Sequence, residues 1–174
     1  MYSTREPLYQ DPTIYDLMIR NVEEVFYKEG HKLQRVKKLA QRIREGIKKM
    51  SPFIQQGTEI VCPKCTNVCC INKHGYYNYE DIVYINALGL RPPDYDFEKK
   101  DSTPCQFLSG KGCIMDRSVR PSGCNWYFCG PLFDHMEGRP EYGKFDNDLR
   151  DIAELWLELM NEFARVIKGM VTAE

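Results

Sequence analysis

The chain has 174 residues, 43% of them hydrophobic and 28% charged, with a formal net charge of −1. That length suits a single domain, 1–174, which buries roughly 70% of its unfolded surface, so its core need not depend on metal. No run approaches the roughly 18 apolar residues a membrane-spanning helix requires, so no membrane partner is expected. The start, Met1-Tyr2-Ser3-Thr4-Arg5-Glu6-Pro7, lacks the apolar stretch behind a basic end that marks a secretory signal, and a cytoplasmic location is the expectation.

Asp11-Pro12 opens a helix, an N-cap followed by proline in the first turn, and Ile14, Leu17, Met18, Val22, Val25 and Phe26 recur at helical spacing as far as Gly30. A second helix is expected over about 32–50, with Leu33, Val36, Leu39, Ile43 and Ile47 on one stripe and Ser51-Pro52 ending it. The two should pack as an antiparallel hairpin. From 55 to 79 the periodicity disappears into cysteine, proline, glycine, asparagine and tyrosine, which suits loops wrapped on ligands. Asn78 then caps a short helix closed by Gly89 and Pro92-Pro93, and 91–103 reads as a polar, exposed connection. A loop runs from Cys129 to about Asn147, where Ile152, Leu155, Trp156, Leu159, Phe163 and Val166 begin the clearest apolar stripe in the chain. The expected fold class is mainly α: a helical scaffold of three long helices, over 11–50 and 147–170, with an inserted cysteine-rich, metal-stapled loop region over 60–130.

Eight cysteines fall in two groups, Cys62, Cys65, Cys69 and Cys70, then Cys105, Cys113, Cys124 and Cys129. Reducing cytosol leaves such thiols available as ligands, whereas an oxidising exterior would pair them as disulfides. Thiolate is a soft ligand that suits zinc and iron–sulfur centres, and Cys62-x2-Cys65 lets two sulfurs of one tight turn reach a single ion. The same spacing occurs in thioredoxin-like redox sites, but the βαβ context of those is missing. In an extended backbone neighbouring side chains point to opposite faces, so Cys69 and Cys70 suit two centres, or the flank of a multinuclear one, better than one mononuclear ion. Eight divided by four gives two full tetrahedral sites, whereas one four-iron cluster would use only four. Counting leans toward two ions or a binuclear centre and leaves an iron–sulfur cluster with structural thiols beside it open. His74 and His135 lie near the two groups and could replace a sulfur, and Asp116 follows Cys113 closely.

Cys62 to Cys70, then Pro104-Cys105-Gln106-Phe107-Leu108, Gly112-Cys113-Ile114, and Arg120-Pro121-Ser122-Gly123-Cys124 followed by Cys129, resemble the YkgJ-like cysteine-cluster family, the CxxCxxCC zinc- or iron-chelating domain. The resemblance covers roughly 60–130. It departs from the pattern at one point, where three residues separate Cys65 from Cys69 and the family has two. It implies a module that chelates zinc or iron, the iron as ions or as an iron–sulfur cluster, with the eight cysteines as metal ligands. Arg120 is the cofactor-binding candidate beside them, because a guanidinium can donate hydrogen bonds to several sulfurs and neutralise thiolate charge. Lys64, Lys73, Lys111 and Arg117 also fall near the cysteines.

No phosphate-cradling glycine loop, nucleophile elbow or HExxH pattern is present. The second helix is basic and the last one acidic. An anionic partner for the basic helix is conceivable, but no nucleic-acid reader motif accompanies the charge, and the two helices can pack on each other instead. The metal ion is the expected partner; no protein partner is identifiable. Whether there is catalysis is equally open, the alternative being an iron–sulfur redox protein or a metalloenzyme accessory acting on another protein.

Overall fold

The chain enters its first helix, α1 (Pro12–Glu29), through Asp11, whose carboxylate accepts the backbone N–H groups of Thr13 and Ile14. This is a computed structural model that describes residues 11–66, 68–99 and 103–171. The protein is mainly helical, at 68% helix, with seven α-helices and one two-stranded sheet among the described residues. After α1 come α2 (Gln34–Val61), α3 (Cys69–Asn72), α4 (Tyr79–Ala87), β1 (Leu108–Ser109), β2 (Gly112–Cys113), α5 (Gly123–Trp126), α6 (Gly130–Glu137) and α7 (Tyr142–Val171). Two 3₁₀ turns, Cys62–Lys64 and Arg117–Val119, lie between them. None of the described helices is long and apolar enough to cross a membrane.

Helix α2 buries Val36, Leu39, Ala40, Ile43, Ile47, Met50, Ile54 and Gly57, a ladder at three- and four-residue steps that continues through Pro52. The expected stop at Ser51-Pro52 is therefore wrong. A proline inside a helix costs about 3 kcal/mol, but the residues beyond it have partners worth reaching. Phe53 stacks on Phe145 with ring centroids 4.7 Å apart, and Gly57 lies against Leu132 and Met136 of α6.

Helix α7 packs along α2 and supplies Ile152, Leu159, Phe163 and Val166 to the shared core. The backbones come close at Gly46, where a Cβ would stand 2.7 Å from Ile152 Cγ1. The opposed charges of these helices meet at their rims, Arg35 pairing with Glu158 and Glu162 and Lys49 with Asp148. Part of the basic face of α2 is thus answered within the molecule. The helix also begins five residues before Asn147, because Phe145 packs against Phe53 and Phe128 while Lys144 reaches Asp148 one turn on.

Helix α4 is buried on nearly every side and touches α1, α2 and α7. Asn78 and Asp81 form a reciprocal capping box at its start. From its side chains Tyr84 Oη donates to Ser118 O at 2.9 Å, and Glu80 accepts from Trp156 Nε1 at 3.0 Å. The segment expected as an exposed connection over 91–103 is not wholly so. Tyr95 and Phe97 join Tyr15 and Tyr76 in an aromatic cluster that also takes in Tyr77 and Phe107. Helix α6 was likewise hidden in an expected loop, since eight residues show too few turns for a periodic pattern.

Candidate metal centre

The first cysteine group begins where α2 ends. Cys62 caps that helix and starts the 3₁₀ turn, and the Cys65 N–H donates to Cys62 O at 3.1 Å, so Cys62-x2-Cys65 is one tight turn. Cys69 and Cys70 lie in α3 and not in the extended segment the sequence reading assumed. Successive helical residues are rotated by about 100° about the axis. The two thiols diverge for that reason, and α3 aims them at different neighbours.

The second group is tied to the first through the backbone. Cys105 N–H donates to Cys70 O at 2.8 Å, and Leu108 N–H donates to Cys105 O at 2.9 Å. The β1–β2 hairpin then pairs Leu108 with Cys113. Cys124 keeps an exposed outer surface, but its sulfur turns inward against Gly75, lying 2.9 Å from where a Cβ there would stand. Any side chain at position 75 would strike that sulfur. Cys129 is the N-cap of α6, and just past the end of that helix the Arg139 guanidinium lies over the Phe53 ring of α2.

All eight cysteines are free thiols. Burial raises the Cys62 thiol first, followed by the charges of Cys129, Cys70, Cys65 and Cys69. Cys69 is raised by burial and then by Cys129 and Cys65, with Lys73 opposing. Cys70 is raised by burial and then by Cys105, Cys113 and Cys69, with Arg120 opposing. Burial, then Cys70, Cys113 and Cys105, push Cys124 up to about 12. Among the described residues no three Cys, His, Asp or Glu side chains converge as a ligand group. In donor chemistry the thiols suit a soft metal.

The residues around them sort by what they touch. Arg120 Nε donates to Met115 O at 3.0 Å, and its charge reaches Cys70 and Cys124. Arg117 is 7% exposed and its Nε has no hydrogen-bond partner. Burial, then Arg120, lower it to about 10, while Cys124, Cys113 and Cys70 pull the other way. Asp116 is occupied as a cap, accepting from the Ser118 N–H and hydroxyl, and His74 Nε2 lies 3.3 Å from Thr103 Oγ1. His135 sits on the α6 side facing Gly57, with its Nε2 buried and without a hydrogen-bond partner. A groove of about 490 Å³ between α2 and α7 is lined mainly by charged side chains, among them Arg42, Lys49 and Asp151, and includes no cysteine.

Sequence reasoning missed the polar struts that hold the cysteine loops to the core. Tyr95 Oη donates to Gly75 O at 2.6 Å, Tyr77 Oη donates to Val119 O, and Asn125 Nδ2 donates to Arg117 O at 3.1 Å. Asp81 does the same from α4, its Oδ1 accepting the Ser122 N–H at 3.0 Å. The capping box was a visible signal for Asp81; its second partner, 41 residues away, was not. Burial outweighs these hydrogen bonds and raises the Asp81 carboxyl from 3.8 to about 6. A raised carboxyl binds its proton more tightly in the folded state, so its contribution to stability is greatest below 3.8 and declines as pH rises through about 6. Urea unfolding across that window should show wild type losing stability relative to Asp81→Asn as pH rises. A difference that stays flat would refute the buried-carboxyl assignment.

Comparison with protein-family models, with curated proteins and with solved structures gave no match.

Proposed function

We propose that the chain is a metal-binding cysteine-cluster protein that holds zinc or iron through Cys62, Cys65, Cys69, Cys70, Cys105, Cys113, Cys124 and Cys129. What supports this reading is that the two cysteine groups, distant in the chain, are joined by the hydrogen bond from the Cys105 N–H to Cys70 O, with all eight thiols free. The motif resemblance to the YkgJ-like family points the same way. In this reading α1, α2 and α7 form a cytoplasmic scaffold, and the cysteine-rich region is stapled onto it by metal. A preformed site rarely exists in an unfolded segment, so the binding free energy of an ion would go into ordering the loop-borne sulfurs.

A site closed by cysteines leaves no open position for water, which argues against hydrolysis. The second reading, an iron–sulfur protein that moves electrons or supports modification of another protein, uses the same cysteines, and Arg120 would offset cluster charge in it.

Anaerobic purification followed by elemental and sulfide analysis tests both. Stoichiometric zinc in a colourless protein supports structural chelation, and a brown protein with sulfide supports the second reading. Cys69→Ser and Cys124→Ser should each lower metal content. Metal-free wild-type protein, or full retention by both variants, overturns the proposal.

A further inference from the structure

We infer that the eight cysteines form two separate four-thiolate metal sites, one from Cys62, Cys65, Cys69 and Cys129 and the other from Cys70, Cys105, Cys113 and Cys124. This rests on the metal-binding reading above and assigns its ligands. Neither set follows the order of the chain: Cys129 crosses to the first group, and Cys70 to the second.

The first set follows from how α6 lies on α2. Arg139 covers the Phe53 ring and donates to Gln56, while Leu132 and Met136 lie against Gly57. Moving toward the end of α2 therefore means moving back toward the start of α6, and the antiparallel register brings Cys129 to the Cys62 end. The Cys62–Cys65 turn is already there, and Cys69 opens the next helix. The second set follows from backbone pairing. The Cys105 N–H on Cys70 O joins those residues, the hairpin register brings Cys113 beside the Cys105 turn, and the Cys124 sulfur is packed on Gly75, five residues past Cys70. Helix α3 turns the neighbouring Cys69 and Cys70 about 100° apart, so the two serve different sets.

The arginines give independent support. Four thiolates around a divalent ion carry a net charge of about −2. Arg117 and Arg120 stand between Cys113 and Cys124 in the chain, and Arg117 is buried with its Nε unpartnered. Both lie on the segment that joins two members of the second set, and two guanidinium charges match what that site requires. Filling each site releases the thiol protons as the metal–sulfur bonds form, with no change of oxidation state.

The test is zinc content of the full chain, purified reduced, as wild type, Cys129→Ser, Cys105→Ser and the double variant. The expected zinc per chain is about two, one, one and none. Wild type without metal overturns the metal-binding reading itself. Wild type with two ions, both lost on either single substitution, overturns the division and leaves the metal-binding reading standing. So does an iron–sulfur cluster in wild type. Should a single variant fail to fold, the dicobalt form of wild type decides. Separate sites give the full Co²⁺ EPR intensity of two independent ions, and a thiolate-bridged pair gives a signal suppressed by exchange coupling.

Discussion

If the chain holds zinc as proposed, stripping it from reduced protein with a strong chelator should loosen 62–75 and 103–129 while leaving α1, α2, α4 and α7 folded. The buried apolar core lies largely on those four helices, and none of the eight cysteines is among its fully buried members. The cysteine loops contribute little to it, Phe107 being their buried aromatic residue. What orders them is hydrogen bonding to Tyr77, Tyr95 and Asp81, each bond worth about 1 kcal/mol net, against about 10 to 16 kcal/mol for a structural zinc. On the proposed reading metal therefore dominates locally and not globally. Amide hydrogen exchange before and after chelation should show lost protection in the two cysteine segments and unchanged protection along α2 and α7. Collapse of the long helices together with the metal would show that the scaffold does not stand alone, and unchanged exchange in the loops would show that metal does not order them.

The same division explains what could be seen in the sequence. The long helices announce themselves because a buried stripe repeats every three or four residues, as Val36, Leu39, Ile43 and Ile47 do. Their ends were misplaced where tertiary contact overrode a local signal. Pro52 should stop a helix, but Ile54 and Gly57 have a face of α6 to cover. The cysteines were visible as ligand candidates from residue type and spacing alone. The grouping proposed for them was not, because it depends on the direction in which α6 crosses α2 and on a hydrogen bond between residues 35 apart in the chain, Cys70 and Cys105. Cys69 and Cys70 were expected to diverge, and they do, through helical rotation and not strand alternation. Arg117 was one basic residue among several near the cysteines; only burial distinguishes it from Lys64, which is exposed.

Phe163→Ala should destabilise the protein by about 3 to 5 kcal/mol, enough to threaten the fold of an ordinary domain. Phe163 is 1% exposed and stacks on Phe26 of α1 with ring centroids 5.6 Å apart, and Tyr79 at the start of α4 lies at 6.5 Å. One side chain thus ties the last helix to the first and to the helix that anchors the cysteine loops. Its removal leaves a cavity in contact with three elements, which cannot all close at once. The ion pairs along the same helix set the comparison. Arg35 reaches Glu158 and Glu162, but its side chain is 62% exposed, so solvent screens the pair and the ordering of long side chains offsets what remains. Arg35→Ala should leave the urea midpoint nearly unchanged, even though it removes two of the contacts that match the basic helix to the acidic one. If the two variants lost stability to the same extent, the α2–α7 seam would be held by charge. The burial of Ile43, Leu159 and Phe163, at 1% exposure or less, says that it is held by apolar packing.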